Sequence, residues 1–239
     1  MRTTSLLVDD DVLIDAGTGV GDLSLDALLK IDHIFVTHTH LDHIAAIPLL
    51  LDTVMGLRTK PVTVHATAQV IRILRRHIFN WLIWPDFNMI PNVENPFLVY
   101  SEICVGESVR IHHKTITALP ANHVVPAVGY QINSGASSLV FTGDTAGGTD
   151  FWNAVNKIEN LKYLIIETAF SNAEAELAEL SKHLCPDTLV RELVELTGKP
   201  ETYITHLKPG DDKTIMQEIS AHPQTQHCKA LRQQQVFDL

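Results

Sequence analysis

A chain of 239 residues, 45% of them hydrophobic, is long enough for one well-packed domain, or for one domain made of two similar halves. A formal net charge of −10 and a pI near 5.6 exclude the basic footprint of a general nucleic-acid binder, while a small anionic substrate stays open if a bound cation supplies local positive charge. Three scattered cysteines with no CxxC pair exclude a disulfide framework. The absence of a leader-like apolar core before Asp9, or of any run near the ~20 apolar residues of a membrane helix, gives the expectation of a soluble, cytoplasmic protein without a membrane partner.

In chain order, "SLLV" (5–8) and "DVLIDAG" (11–17) read as strands, the second closed by the turn residues Asp15 to Gly19. "LSLDALLK" (23–30) has helical apolar spacing, and "DHIFVT" (32–37) is a compact apolar strand. A helix is predicted over about 43–57, a strand over 61–66 and a helix over 67–79. The segment "HIFNWLIWPDF" (77–87) differs in kind, with two tryptophans, two phenylalanines and a proline. Strands resume near 102–119, 127–132 and 138–142. A helix (149–159), the strand "KYLIIET" (162–168), helices near 173–181 and 186–197, the strand "TYIT" (202–205), a helix (212–221) and a short end strand complete the chain. The order is β-rich with interspersed helices, twice over. It suggests an α/β (α+β) domain over 1–239, with two packed sheets and helices outside.

Chemistry concentrates at the end of the strand 32–37. In "VTHTHLDHIAAIPLL", His38, His40, Asp42 and His43 fall within six positions. Residues i and i+2 of a strand end point the same way, so His38 and His40 can share one ion, while Asp42 and His43, past the bend, can face a second. Imidazole and carboxylate suit Zn²⁺ and other borderline metals. The plain alternative is a His-rich surface loop. Two ions need further ligands, and "LPANHVVP", "LVFTGDT" and "TYITHLKPG" place His123, Asp144 and His206 just past apolar strands. Singly each is an ordinary turn or cap residue; as a set they complete a dinuclear site.

The pattern H-x-H-x-D-H followed by a His, an Asp and a His resembles the metallo-β-lactamase fold over nearly the whole chain. The resemblance implies a four-layer αββα sandwich with two divalent metal ions at one edge between the sheets, Zn²⁺ first, with Mn²⁺ or Fe as alternatives. By that pattern His38, His40 and His123 hold one ion, Asp42, His43 and His206 hold the other, and Asp144 bridges both. Within the superfamily, "THTHLDHIAAIPLL", "HIFNWLIWPDF", "FTGDTAGGTDFW", "NLKYLIIETAFSN", "SKHLCPDTL" and "THLKPG" are similar to segments of class II 3′,5′-cyclic-nucleotide phosphodiesterases. The family opens with a strand and a Gly-rich turn before the segment "TTSLLV". Only Met1 and Arg2 precede it here, so the first strand is expected to be absent from this chain.

A hydroxide bridging two ions is a strong nucleophile at neutral pH, because metal lowers the pKa of bound water to ~7, and the same ions neutralise phosphate oxygens. Asp42 can also accept a hydrogen bond from that hydroxide. The leaving 3′-oxygen needs a proton; His183 in "ELSKHLCP" is the candidate donor, and Glu167 in "IIETAF" the candidate for orienting it, a pairing that resembles ribonuclease Z. The plain alternative for His183 is a surface histidine at a helix entry. Trp81, Trp84, Asp86 and Phe87 are candidates for a nucleobase pocket, with core or dimer packing as the alternative. For Asp15, Thr18 and Gly19 a turn role is expected, and His33 and His65 carry no assignment.

The resemblance implies hydrolysis of 3′,5′-cyclic AMP or GMP to the 5′-nucleotide, a small-molecule cyclic nucleotide as partner, and a homodimer as assembly. The first rival is a ribonuclease Z-like tRNA 3′-end endonuclease. Those enzymes carry a long basic arm, commonly between the positions matching His123 and Asp144, where this acidic chain has only residues 124–143. A β-lactamase typically places a cysteine near the second ion and lacks the bridging carboxylate. A thioester hydrolase, a lactonase or a non-catalytic binding protein on the same fold complete the alternatives.

Overall fold

Short runs of β-branched and aliphatic residues, each closed by a turn, build two sheets in the computed structural model, which describes residues 2–239. The described residues fall into two compact units that divide after Cys104.

The first unit has a five-stranded sheet in sequence order: β1 (Leu6–Val8), β2 (Val12–Ile14), β3 (His33–Phe35), β4 (Val62–Ala66) and β5 (Leu98–Glu102). Only β1 is antiparallel; β2 to β5 run parallel, so their carboxyl ends share one edge. The strand β5 starts at Leu98, earlier than the sequence predicts, because Leu98 and Val99 pair with Val62 and Thr63 to complete the parallel ladder. The crossovers hold α1 (Leu25–Leu28), α2 (Leu41–Ile44), α3 (Ala46–Val54) and α4 (Ala68–His77). The single helix predicted over 43–57 is two, meeting at Ala45. Ile47, Leu50, Leu51 and Val54 recur at the three- and four-residue spacing of one helix face and bury it in the cluster that holds Leu13, Ile34, Val36 and Val64. That face anchors the loop between β3 and α3, where the histidine cluster lies.

The second unit has a seven-stranded sheet in the order β12-β11-β10-β9-β8-β7-β6. Its strands are β6 (Ser108–Ile111), β7 (Lys114–Pro120), β8 (Val128–Asn133), β9 (Ser138–Phe141), β10 (Leu161–Glu167), β11 (Glu201–Thr205) and β12 (Lys229–Ala230). The strand β8 is antiparallel to both β7 and β9, whereas β9, β10 and β11 are mutually parallel. It follows that β7, β9, β10 and β11 run the same way and end at one edge. Helices α5 (Thr149–Val155), α6 (Ala175–Ser181), α7 (Pro186–Val194) and α8 (Asp212–Ala221) complete the unit. Phe151, Trp152, Leu189, Ile215 and Ile219 join Val140, Leu164, Ile166 and Ile204 in its core. No helix among the described residues is long and apolar enough to cross a membrane.

Candidate functional site

Both units carry their ligating side chains where parallel strands end, the place where α/β sheets gather site residues. In the first unit the chain leaves β3 through Val36 and Thr37. It presents His38 and His40, then turns into α2, whose single turn carries Asp42 and His43. The His38 ring centroid lies 4.7 Å from that of His40 and 4.2 Å from that of His43, and Asp42 Oδ2 lies 3.7 Å from His43 Nε2. His38 and His43 are buried. This His/Asp cluster suits a divalent metal ion.

What holds the rings is Asp15, at the end of β2 and fully buried. Its Oδ1 accepts from the Thr37 backbone N–H at 2.7 Å, and its Oδ2 accepts from the Thr37 hydroxyl at 2.7 Å and from His43 Nδ1–H at 2.6 Å. A carboxylate only accepts, so His43 carries its proton on Nδ1 and keeps its lone pair on Nε2. The Thr37 hydroxyl, having donated to Asp15, accepts from His38 Nδ1–H at 3.0 Å, so His38 is held in the same tautomer. Outer-shell carboxylates and hydroxyls fix ligating histidines in this way. The turn role expected of Asp15 is therefore only part of its work. It does sit at φ 58, which Asp tolerates, but its side chain sets two rings. Thr18 keeps a turn role, exchanging hydrogen bonds with Thr3. Gly17 is required by space, since a Cβ there would lie 2.1 Å from the backbone oxygen of Asp42.

In the second unit, His123 follows β7, Asp144 follows β9, Glu167 ends β10 and His206 follows β11. The shared direction of those strands puts all four at one edge. His206 Nε2 lies 3.4 Å from Asp144 Oδ2, and His206 sits at φ 63. His123 Nδ1–H donates to the Lys182 carbonyl at 3.1 Å, leaving Nε2 as its lone-pair nitrogen. His183 Nδ1–H donates to Glu167 Oε1 at 2.7 Å. Glu167 is itself held, by the Thr145 N–H at 3.0 Å and the Leu184 N–H at 3.3 Å. The His183 ring centroid lies 5.0 Å from that of His123 and 5.1 Å from that of His206. Glu167, His183 and His206 offer ligand atoms within 4.8 Å of one another. The donor set fits divalent metal: three of the candidate imidazoles, His38, His43 and His123, commit Nδ1–H to an oxygen and present Nε2.

The aromatic segment is placed differently from the base-stacking expectation. Phe87 is 1% exposed and packs in the first unit's core, 6.4 Å from the Phe79 ring, so it has no face to offer a base. Asp86 is buried too, and its Oδ1 accepts from the Asn88 N–H at 3.0 Å. Trp84 packs partly buried on the same core, and the exposed ring of the segment is Trp81, at 62%. His33 and His65, left unassigned by the sequence, meet at 3.1 Å, and His65 stacks on Phe35 at 4.3 Å. Asp15, Thr37, Thr145 and Lys182 are the residues that sequence reasoning missed. Asp15 had one visible signal: it closes an apolar strand, as the candidate ligands do.

A family profile described as "Beta-lactamase superfamily domain" matches residues 11–207. The chain belongs to that superfamily. Among curated relatives it is similar to a "Probable 3′,5′-cyclic-nucleotide phosphodiesterase" of Yersinia pestis, at 26% identity over 221 residues, covering 80% of this chain and 62% of the relative. It is also similar to a "Ribonuclease Z" of Staphylococcus carnosus, at 32% identity over 133 residues, covering 53% of this chain and 40% of the relative. The chain thus spans less than two thirds of the length of either. Among solved structures, the metallo-β-lactamase fold protein YhfI from Bacillus subtilis matches with TM-score 0.73 at 19% identity, covering 96% of this chain and 89% of that one. Unliganded yeast PDE1 matches with TM-score 0.74 at 19% identity, covering 87% and 69%. The fold is the metallo-β-lactamase fold.

Proposed function

We propose that the chain is a dinuclear-metal phosphodiesterase that hydrolyses 3′,5′-cyclic nucleotides to 5′-nucleotides. His38, His40, Asp42, His43, His123, Asp144 and His206 are the proposed ligands, with Zn²⁺ the first candidate and Mn²⁺ or Fe the alternatives. That set would hold two divalent ions, whose chemistry would be Lewis-acid charge for the phosphate and activation of a water near neutral pH. The protein's own residues do the rest. Asp15 and Thr37 hold two imidazoles in the ligating tautomer. His183 would serve as the acid in its doubly protonated form, giving the departing 3′-oxygen the proton on Nε2 while Glu167 keeps accepting from Nδ1–H at 2.7 Å.

The observation that favours a small cyclic substrate over a tRNA precursor lies between β7 and β9. Where ribonuclease Z-like enzymes commonly carry their arm, this chain makes a tight hairpin: β8 ends at Asn133 and β9 begins at Ser138. The net charge of −10 supports the same reading, as does the longer match to the phosphodiesterase relative, 221 residues against 133. Incubation with cyclic AMP, cyclic GMP, 2′,3′-cyclic phosphates and a tRNA precursor, with products separated by chromatography, tests the proposal. A 5′-nucleotide from a 3′,5′-cyclic substrate is expected. Precursor cleavage with no cyclic-nucleotide turnover would overturn it.

A further inference from the structure

We propose that Lys182 is a positioning residue that clasps the candidate ligand His123 to the candidate acid His183, so that the two are set as one piece. The roles of those histidines rest on the proposed function; the clasp itself rests on geometry within the second unit. Lys182 caps α6 in the left-handed conformation, φ 53 and ψ 51, where glycine is the usual occupant. The side chain at this position is put to use. Lys182 Nζ donates to Asn122 Oδ1 at 3.0 Å and to the His123 carbonyl at 3.3 Å, while the Lys182 carbonyl accepts from His123 Nδ1–H at 3.1 Å. One residue therefore grips both the backbone and the ring of His123.

The grip closes a ring of hydrogen bonds. The Asn122 N–H donates to Thr145 Oγ1 at 3.1 Å, and the Thr145 N–H donates to Glu167 Oε1 at 3.0 Å. Glu167 Oε1 accepts His183 Nδ1–H at 2.7 Å, and His183 is joined by a peptide bond to Lys182. The loops after β7 and β9 and the last residue of β10 are thereby tied to the exit of α6. In a closed ring the displacement of any member is opposed from two sides; cut at one link, its ends move independently. The ammonium supplies charge-assisted bonds, the stronger kind, at the link to Asn122.

Lys182→Met removes the ammonium and keeps the stem. Lys182→Gly removes it while relieving the left-handed backbone, so that variant is expected to fold at least as well as the parent. In the metal-free protein, amide exchange at Asn122 and Ala146 should quicken about 10–100-fold in both variants, the equilibrium equivalent of one charge-assisted hydrogen bond, while amides of β10 and β11 keep their rates. The Ala146 N–H, which donates to the Asn122 carbonyl at 2.9 Å, is the second reporter. Zn²⁺ affinity, read by chelator competition, should fall about 10–100-fold. On cyclic nucleotide, kcat should fall with KM unchanged, and Lys182→Gly should cost less when added to His183→Ala than when made alone. Unchanged exchange at Asn122 and Ala146, or additive losses with parental metal affinity, would overturn the clasp. If the parent protein neither binds metal nor turns over cyclic nucleotides, the proposed function falls and the exchange rates alone decide the clasp.

Discussion

Asp15→Asn tests how the first unit presents its histidines. The substitution is isosteric, and Asn accepts φ 58 as readily as Asp, so the backbone is left alone. The amide oxygen can keep the Thr37 N–H at the Oδ1 position. The amide nitrogen then replaces Oδ2, the atom that accepts from both the Thr37 hydroxyl and His43 Nδ1–H. An acceptor of two protons becomes a donor of two. His43 must accept at Nδ1 and move its proton to Nε2. The Thr37 hydroxyl must accept from the amide and turn its own proton toward His38 Nδ1, which shifts the His38 proton to Nε2 as well. The reversed amide would set its NH₂ against the Thr37 N–H, a buried donor facing a donor, at a cost of ~1–3 kcal/mol. Losing one outer-shell partner costs about 10–100-fold in metal affinity. Two ligands turned at once should therefore cost about 10²–10⁴-fold, or roughly 3–6 kcal/mol. Metal-free stability should change by no more than about 1 kcal/mol, because the buried groups keep partners. Chelator competition reads the affinity, urea unfolding of the metal-free protein reads the stability, and imidazole nitrogen shifts read the tautomers. Parental metal affinity, or His43 still protonated at Nδ1, would refute the reasoning.

Three further outcomes are expected. His183→Ala should lower turnover of cyclic nucleotide by about 10²–10⁴ and lower it less on a nitrophenyl phosphodiester, whose leaving group needs no proton; elemental analysis should find parental metal, and a loss would assign His183 as a ligand alongside Glu167 and His206. Gly17→Ala places a Cβ 2.1 Å from the Asp42 backbone oxygen and 2.6 Å from that of Thr4, so it should destabilise by about 1–3 kcal/mol or more in urea unfolding and weaken metal binding by displacing Asp42. Burial, with the neighbouring His33 as a lesser cause, holds His65 down at about 4 from the usual 6.5, so the unfolded chain binds the proton first. Stability from this group is complete above pH ~6.5 and is lost as pH falls toward ~4, amounting to about 3 kcal/mol at the low end; urea midpoints measured across that window should flatten in His65→Asn.

The candidate ligands and much of the strand order were legible in sequence because both are local signals. Four ligating side chains in six positions need no tertiary knowledge to stand out, and an apolar run closed by a lone His or Asp marks a strand end wherever it folds. Boundaries were less legible where neighbours decide them. The strand β5 reaches back to Leu98 because β4 offers a parallel partner, and the helix after the histidine cluster breaks in two at Ala45. The aromatic segment shows a different limit: composition marks Trp84, Asp86 and Phe87 as unusual, but nothing in their spacing says that Phe87 faces the core while Trp81 faces solvent.

What tertiary structure alone decided is the outer shell. Asp15 reaches Thr37 and His43 across 22 and 28 residues, and Lys182 reaches Asn122 and His123 across 60 and 59. An imidazole ligates through whichever nitrogen its neighbours leave deprotonated. Sequence by itself therefore determined which side chains are chemically able to bind a metal ion. Only the fold, by choosing the acceptor at Nδ1 of His38, His43 and His123, decided which nitrogen of those rings carries the proton and which way the lone pair points.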